Sequence, residues 1–600
     1  MEENILNQRD IEFMLYELFD IESLTSRDRF RDHNRETFNA AIETGKSVAF
    51  KYFLPIRKII DTHEPDFDGE RVELIPEIKP ALDAVFDAGL ATSTLDYESG
   101  GMQLPITVAN AAQSYLSAIA STTLGYISLT SANANLIEAH GTEEQISKWV
   151  VPMREGRFMG TMAMTEPGAG SGLADITTTA VKDDDGTYRI YGNKIFISGG
   201  DHELSENIVH LVLARVKGAP KGVKGISLFI VPKYLVADSG DIENKNDVAL
   251  SGLFHKMGGR GHTSTALSFG ENSGAIGYLV GEENRGLSYM FHMMNEARII
   301  VGTNAALTAL TGFQYSLSYA IDRPQGRPLS NRDPYSPVVN IIEHPDVRRM
   351  LLTQKAYAEG AYALCLYGSY LADNERTAET ESEREHAKTL LDFLTPIIKS
   401  WPSEYGVKAN NLAIQVLGGH GYINEHPVEM FYRDNRLNPI HEGTTGIQSI
   451  DLLCRKVPSD NFSGYNAVLA EIEKTVASTN DADLFLYAKQ LSEALSLIHQ
   501  VTSSVFVAQK KFSPDLVFSN SVSYLEMFGH VVIAWLWLRQ GIVAYAGLGN
   551  GPHDEDRNFY LGKIQAMKFF FHSELPKIKH WASLVKNIDS TSFDMKQEWF

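Results

Sequence analysis

The most chemically loaded stretch of this chain is headed by a carboxylate. In residues 438–452, Glu442 is followed by Gly443, Thr444 and Thr445, and an apolar segment begins directly after them. A glutamate on a short, glycine-backed loop can be aimed into a cavity by rigid neighbours. In an apolar cavity the charged form is disfavoured, and the pKa climbs from ~4.3 toward ~6–7, where a base that must take and release a proton works well. On these residues alone, an acid placed to meet a helix dipole is the more economical reading. The rest of the chain shifts the weight to a base.

A second stretch, Thr165-Glu166-Pro167-Gly168-Ala169-Gly170-Ser171-Gly172, is nearly free of side chains. Such a loop lets backbone N–H groups and the Thr165 and Ser171 hydroxyls come close to a flat or phosphorylated ligand. Taken by itself it is a plain turn. Lys194-Ile195-Phe196-Ile197-Ser198 puts an aromatic and a hydroxyl residue at a strand end, and Phe196 alone reads as core. The run Gln415-Val416-Leu417-Gly418-Gly419-His420-Gly421 can bring backbone to a phosphate or ribose at a helix end. Arg298 and Arg323 are candidate phosphate ligands, because a guanidinium binds oxyanions bidentately; an isolated arginine is more often a surface residue. Arg433 and Asp434 read as a solvated pair. Neither glycine cluster lies in the strand–turn–helix unit of a dinucleotide fingerprint.

These residues need several elements to hold them. A chain of 600 residues exceeds one core, so three or four domains are expected. A net charge of −21 argues against nucleic acid as the main ligand. Two cysteines, Cys365 and Cys454, imply no disulfide framework and a reducing compartment. Residues 1–158 read as helical: Ile11, Leu15, Leu18 and Phe19 share a face, and His140-Gly141-Thr142-Glu143-Glu144-Gln145 reads as a helix stop and a capped start. Residues 159–286 read as a small β-domain, with a hairpin at Asp183-Asp184-Asp185-Gly186 and strands near 208–216, 226–231, 265–269 and 278–280. Helical periodicity returns over 287–455, with Met350, Tyr357, Ala361 and Leu364 on one buried stripe and a solvated helix end and linker at 373–388. Residues 456–600 form a further helical domain with a turn at Asn550-Gly551-Pro552-His553. The apolar run 531–548 contains Arg539 and Gln540 and reads as a buried helix rather than a membrane span. No secretory, mitochondrial or peroxisomal address is visible, so a cytoplasmic bacterial setting is expected, with peripheral contact to the inner membrane as the alternative.

The stretches 164–172, 195–200, 256–261, 284–298, 415–434 and 440–448 stand in the order and spacing of one family: across about residues 80–455 the chain resembles the acyl-CoA dehydrogenases. The segments outside that range look like the large bacterial branch, which includes enzymes for broad ranges of fatty acyl-CoA and for 3-methylmercaptopropionyl-CoA. The resemblance implies a mainly α, multidomain fold: a helical domain, an inserted β-barrel-like domain, a four-helix bundle, and here a C-terminal helical extension. It implies FAD as cofactor, held between the β-domain and the helical bundle. It implies that Glu442 removes the α-proton of an acyl-CoA thioester while flavin N5 takes the β-hydride, giving a trans-2-enoyl-CoA. The backbone N–H of Glu442 and a ribityl hydroxyl would hold the thioester oxygen as enolate character develops.

By the same matching, Met164, Thr165, Ile197 and Ser198 meet the flavin. Ser171 lines the route of flavin and CoA. Arg323, Gln415, Gly418 and Gly419 reach the FAD of a neighbouring subunit, which implies at least a homodimer. Thr444 and Gly446 meet FAD near the base, and Arg298 and Gly443 belong to the substrate side. No metal is implied. Electrons would pass to an electron-transfer flavoprotein. An oxygen-using acyl-CoA oxidase and the DNA-binding alkylation-response flavoproteins are the competing readings, the latter disfavoured by the acidic charge. The chain departs from the common pattern at Gly172, Phe196, Ser198 and His441, where Asp, Trp, Thr and Tyr are usual. His441 reads as a packed neighbour of the base.

Overall fold

Runs of β-branched and aromatic residues set the middle of the chain apart from the alanine- and leucine-rich helices on either side. The structure, a computed structural model, describes residues 5–331, 333–479 and 481–600. It divides into two compact units: one of Glu36–Leu104 and Ala112–Ala297, the other of Met1–Arg35, Pro105–Ala111 and Arg298–Phe600.

The first unit is built on an eight-stranded sheet. Its strands are β1 (Phe158–Ala163), β2 (Thr179–Lys182), β3 (Tyr188–Ser198), β4 (Asn207–Val216), β5 (Ile226–Pro232), β6 (Val248–Leu253), β7 (Ser264–Phe269) and β8 (Ala275–Leu279). The order is β6-β7-β3-β8-β5-β4-β1, and β2 pairs with both β3 and β4. That double pairing closes β3, β8, β5, β4 and β2 into a ring. Val212, Ala214, Ile190, Phe229 and Val231 belong to one apolar core of this sheet; Val209, Leu211, Leu228 and Ile230, the alternate residues of β4 and β5, belong to another. The expected hairpin is present, with Lys182 opposite Tyr188. The helix before β1 begins as anticipated, with Thr142 and Gln145 forming a reciprocal capping box. Strand β6 was not anticipated; a bulge at Leu250/Gly252 breaks its alternation.

The second unit contains most of the long helices. Gly286–Asp322, Pro345–Thr377 and Glu381–Leu417 contribute 37, 33 and 37 residues, the first of these starting in the other unit. Gly302 permits close helix approach: a Cβ there would lie 2.0 Å from the Ile398 carbonyl oxygen. This contact brings the turn carrying Arg298 against the turn carrying Lys399. The stripe Met350, Tyr357, Ala361 and Leu364 is buried as expected. The run 373–388 needs correction. Asp373 is buried and accepts hydrogen bonds from the Ile106 and Thr107 backbone N–H groups and the Thr107 hydroxyl, so it caps the helix Ile106–Ala120. Burial pushes it up to about 6, against those hydrogen bonds. The next helix starts on a capping box of Thr380 and Glu383.

In the C-terminal segment, the stretch Pro514–Gly549 is long and apolar enough to cross a membrane, yet 61% of its most apolar part is buried inside the protein. Val531, Ile533, Leu536, Trp537 and Leu538 are fully buried, and each such aliphatic side chain stabilises by roughly 1.5–3 kcal/mol. Arg539 on this helix packs its guanidinium over the rings of Phe19, Tyr367 and Trp535.

Candidate active site

Glu442 sits on a strained turn that its neighbours hold in place. The chain leaves Val428–Asn435 through side-chain bonds among Asn435, Asn438 and His441 (2.9 and 3.1 Å), then turns with φ +54° at Glu442 and +88° at Gly443. A left-handed glutamate costs about 1–2 kcal/mol and persists only where its surroundings demand it. Gln448 Nε2 donates to the Glu442 carbonyl at 2.9 Å. Lys399 Nζ donates to the Gly443 carbonyl at 2.7 Å. Thr445 donates to Glu404 at 2.6 Å, tying the start of the next helix to Glu381–Leu417. A side chain at Gly443 would meet Gln448 Nε2 at 2.7 Å and break this arrangement.

The helix Thr445–Ile450 is capped by Thr444, whose hydroxyl accepts from Ile447 N–H at 3.3 Å. The helix-acid reading of Glu442 therefore fails: Thr444 does that work. Glu442 Oε2 is buried and has no hydrogen-bond partner. Burial pushes its pKa up to about 7, while the Arg298 and Lys399 charges restrain the rise. Lys399 is fully buried, and its own pKa is lowered to about 8 by burial, against the pull of Glu442 and Glu404.

Arg298 is not a surface residue. It is 4% exposed and paired with the equally buried Asp451 at 3.1 Å, with Arg455 on the far side of that carboxylate at 3.2 Å. Arg433 pairs with Glu429 one turn away on its own helix, at 2.6 Å. Gly446 lies in the first turn after the cap, with only Thr444 Oγ1 within 4 Å of where a Cβ would stand.

In the β-unit, the glycine-rich loop hangs from a different glutamate. Glu166 is 3% exposed and accepts from the backbone N–H and hydroxyl of both Thr177 and Thr178, and from Lys194 Nζ at 2.9 Å. Burial would raise its pKa, but Lys194 and the Thr178 and Thr177 hydrogen bonds outweigh it and hold it at about 2. With that anchor set, Gly168 and Gly170 need be glycine for neither backbone nor packing: neither has a left-handed φ, and no atom lies within 4 Å of a Cβ built there. Open space without internal cause suits a ligand approaching the backbone. Met164, Thr165 and Ser198 are half-buried and Ser171 is exposed. Ile197 is 2% exposed in the core of the sheet, its carbonyl taken by the Thr265 hydroxyl, so its side chain faces no ligand. Phe196 corrects the sequence reading: it is 58% exposed with φ +56°, its ring against Phe254, because the left-handed turn throws it out of the alternation of β3.

At the end of Glu381–Leu417, Gln415, Gly418 and Gly419 are exposed, and Arg323 is exposed just past Gly286–Asp322. A bond of 2.7 Å between Tyr319 and His420 joins these two helix ends. Gly419 repeats the open geometry of Gly168. Among the described residues no group of His, Cys, Asp or Glu is arranged to hold a metal.

Comparisons with known proteins bear on the family and the fold. The chain matches the acyl-CoA dehydrogenase N-terminal domain over 56–157, the middle domain over 161–271 and the C-terminal domain over 284–455, and an acetyl-CoA dehydrogenase C-terminal-like domain over 468–596. It is 36% identical to 3-methylmercaptopropionyl-CoA dehydrogenase of Ruegeria pomeroyi, covering 94% of each chain. The chain belongs to the acyl-CoA dehydrogenase family. It is also 33% identical to a broad-specificity linear acyl-CoA dehydrogenase of Mycobacterium tuberculosis, over 99% of each chain. An acyl-CoA dehydrogenase of Bacillus anthracis, solved with FAD, has the same fold with a TM-score of 0.74 at 20% identity, covering 96% of this chain and 91% of that one.

Acyl-CoA dehydrogenases are oxidoreductases acting on thioesters, and four residues around Glu442 and its loop escaped the sequence reading: Lys399, Glu404, Gln448 and Asp451. Lys399 left a readable signal. It is a lone charge among Leu394, Ile397, Ile398 and Trp401, and a charge inside an apolar run demands a reason. Gln448 and Asp451 left none, because their partners come from the folded loop and from Arg298, 153 residues away from Asp451.

Proposed function

We propose that this protein dehydrogenates acyl-CoA thioesters at the α,β-position to trans-2-enoyl-CoA, with Glu442 as the base. The observation that carries the reading is the carboxylate oxygen of Glu442, buried, without a hydrogen-bond partner and titrating near 7. At neutral pH such a group accepts a proton from carbon and releases it again. The α-proton passes to Glu442 while the β-hydrogen leaves with the electron pair. Bound FAD supplies the acceptor for that hydride. The Glu442 N–H, fixed by the turn, donates to the thioester oxygen as negative charge builds there.

Met164, Thr165, Ser171, Ser198 and the backbone at Ile197 are the flavin contacts of residues 159–286 in this reading. Thr444 and Gly446 are those near the base. Arg323, Gln415, Gly418 and Gly419 meet the flavin of a second subunit, so the enzyme works as a homodimer or larger. The exposure of these four residues and the open space at Gly419 support that assignment. Arg298 and Gly443 border the substrate, Arg298 from its pair with Asp451. The activities named for the two relatives direct the substrate class to linear acyl-CoA and 3-methylmercaptopropionyl-CoA thioesters. The electrons pass to an electron-transfer flavoprotein in cytoplasmic fatty acid β-oxidation.

The test is anaerobic titration of the flavoprotein with saturated acyl-CoAs of C4 to C18 and with 3-methylmercaptopropionyl-CoA. Bleaching of the flavin by one group of thioesters is expected. A yellow protein that none of them bleaches would sink the proposed activity. Peroxide release in air without an added acceptor would move the assignment to an oxidase.

A further inference from the structure

Four lysines are buried among the described residues: Lys194, Lys233, Lys399 and Lys563. Three have carboxylate partners. Lys194 meets Glu166, Lys233 meets Asp201 and Glu203, and Lys563 meets Asp10 and Glu359. Lys399 is fully buried and forms no ion pair; its ammonium donates to the Gly443 carbonyl. A buried ammonium without a carboxylate partner is costly, and a methionine of similar length would fill the space without that cost. Something other than packing accounts for the charge.

The surroundings name it. Three charged groups act on Lys399: Glu442 from the loop, Glu404 from its own helix and Arg298 from Gly286–Asp322. Arg298 is already engaged by Asp451, and Glu404 already accepts from Thr445. Glu442 is the remaining carboxylate, and its Oε2 has no hydrogen-bond partner. We propose that Lys399 is a positioning residue for the base: its bond to the Gly443 carbonyl locks the left-handed turn at Glu442, and its ammonium supplies the positive field that keeps the buried carboxylate ionisable. The inference rests on the reading of Glu442 as base. It separates two roles on one side chain, a tether and a charge.

Burial and the cations pull Glu442 in opposite directions, so removing one cation leaves burial less opposed. A single opposite charge nearby commonly moves a carboxyl by about 1 unit or more. Lys399→Gln can keep a hydrogen bond to the Gly443 carbonyl and removes the charge. Lys399→Met removes both roles. Lys399→Arg keeps the charge.

The experiment titrates the carboxyl itself in the FAD-loaded protein, by the infrared difference between each variant and the same variant carrying Glu442→Gln, alongside the pH profile of flavin reduction. The carboxyl midpoint and the acid limb of the rate should both rise by about 1 unit in Lys399→Gln and Lys399→Met and stay near wild type in Lys399→Arg. Lys399→Met should also lower the plateau rate below that of Lys399→Gln, because it loses the tether. An unmoved midpoint in Lys399→Gln overturns the proposal even if Lys399→Met does not fold. Glu442→Gln in the wild-type background is the separate control. If it reduces flavin at the normal rate, the base assignment fails; if it is inactive while Lys399→Gln titrates as wild type, only the role of Lys399 fails.

Discussion

Glu166 and Glu442 are both buried glutamates beside glycine-rich loops, and they do opposite things. Glu166 accepts five hydrogen bonds, from the two threonine N–H groups, their hydroxyls and Lys194, and stays charged down to about 2. Glu442 keeps an oxygen without a partner and titrates near 7. Their residue type is the same, and each has glycines close behind it, Gly168 and Gly170 after Glu166 and Gly443 and Gly446 after Glu442. Satisfaction of the lone pairs makes the difference: a saturated carboxylate is held charged as an anchor, and an unsaturated one is left able to take up a proton near neutral pH. Lysine use follows the same division, since Lys194 contacts its glutamate directly while Lys399 holds the backbone beside its own.

Four experiments would break or sharpen this contrast. The largest effect is expected from Glu442→Gln. The amide accepts no proton, so flavin reduction should slow by about 100- to 10,000-fold with FAD and ligand retained, as stopped-flow absorbance would reveal. Near-normal rates would remove the contrast altogether. Next comes Glu166→Gln, which leaves Lys194 buried opposite a neutral group. A loss of about 3–5 kcal/mol is expected in denaturant unfolding, with activity falling only as the folded fraction falls. Unchanged stability would show that Glu166 is not the anchor.

The third experiment is pH dependence, where the two glutamates carry opposite signs. Glu166 is depressed on folding, so its contribution is present above pH 4.5 and is lost as the pH falls toward 2. Glu442 is raised, so its burial is free of charge below pH 4.5 and costs stability as the pH climbs from 4.5 to 7, by about 3 kcal/mol at most. Glu442→Gln should therefore be more stable than wild type at pH 8 and equal to it at pH 4, which thermal melts at both values would check. The rate should show an acid limb near 7. The smallest effect is expected from Gly168→Ala and Gly419→Ala. Their new methyl groups enter open space, so apoprotein stability should stay within about 0.5 kcal/mol, while flavin occupancy after gel filtration falls. Full occupancy would show that these glycines do not face the cofactor.

Much of the architecture was legible because it is periodic. The hairpin at 183–186, the capping box at Thr142 and the buried stripe from Met350 follow from local chemistry, and local chemistry is what a sequence displays. Asp373 was misread because its partners lie at Ile106 and Thr107; a carboxylate in a charged run looks solvated until a distant helix start reaches it. Phe196 was misread because a positive φ reverses the side to which a strand residue points, and nothing in the residues Ile195-Phe196-Ile197 announces one. Glu442 was legible as a candidate only through its loop and the motifs around it. Its isolation from hydrogen-bond partners belongs to the folded state, as do the tethers from Gln448 and Lys399.

The segment before Arg35 and the helix Asp554–Phe569 are held together by Arg9 on Asp556 at 2.8 Å and by Lys563, which meets Asp10 and Glu359. Arg9 and Asp556 are 547 residues apart in sequence. A ribosome adds about 5–20 residues per second, so Asp10 waits roughly half a minute or more for Lys563 to be made. During that interval the apolar side chains of Ile11, Phe13, Met14 and Leu15, all buried in the finished protein, have yet to gain their last neighbours. The segment before Arg35 is thus synthesised well before the helix that seats it, and its apolar side chains wait through that interval for those neighbours.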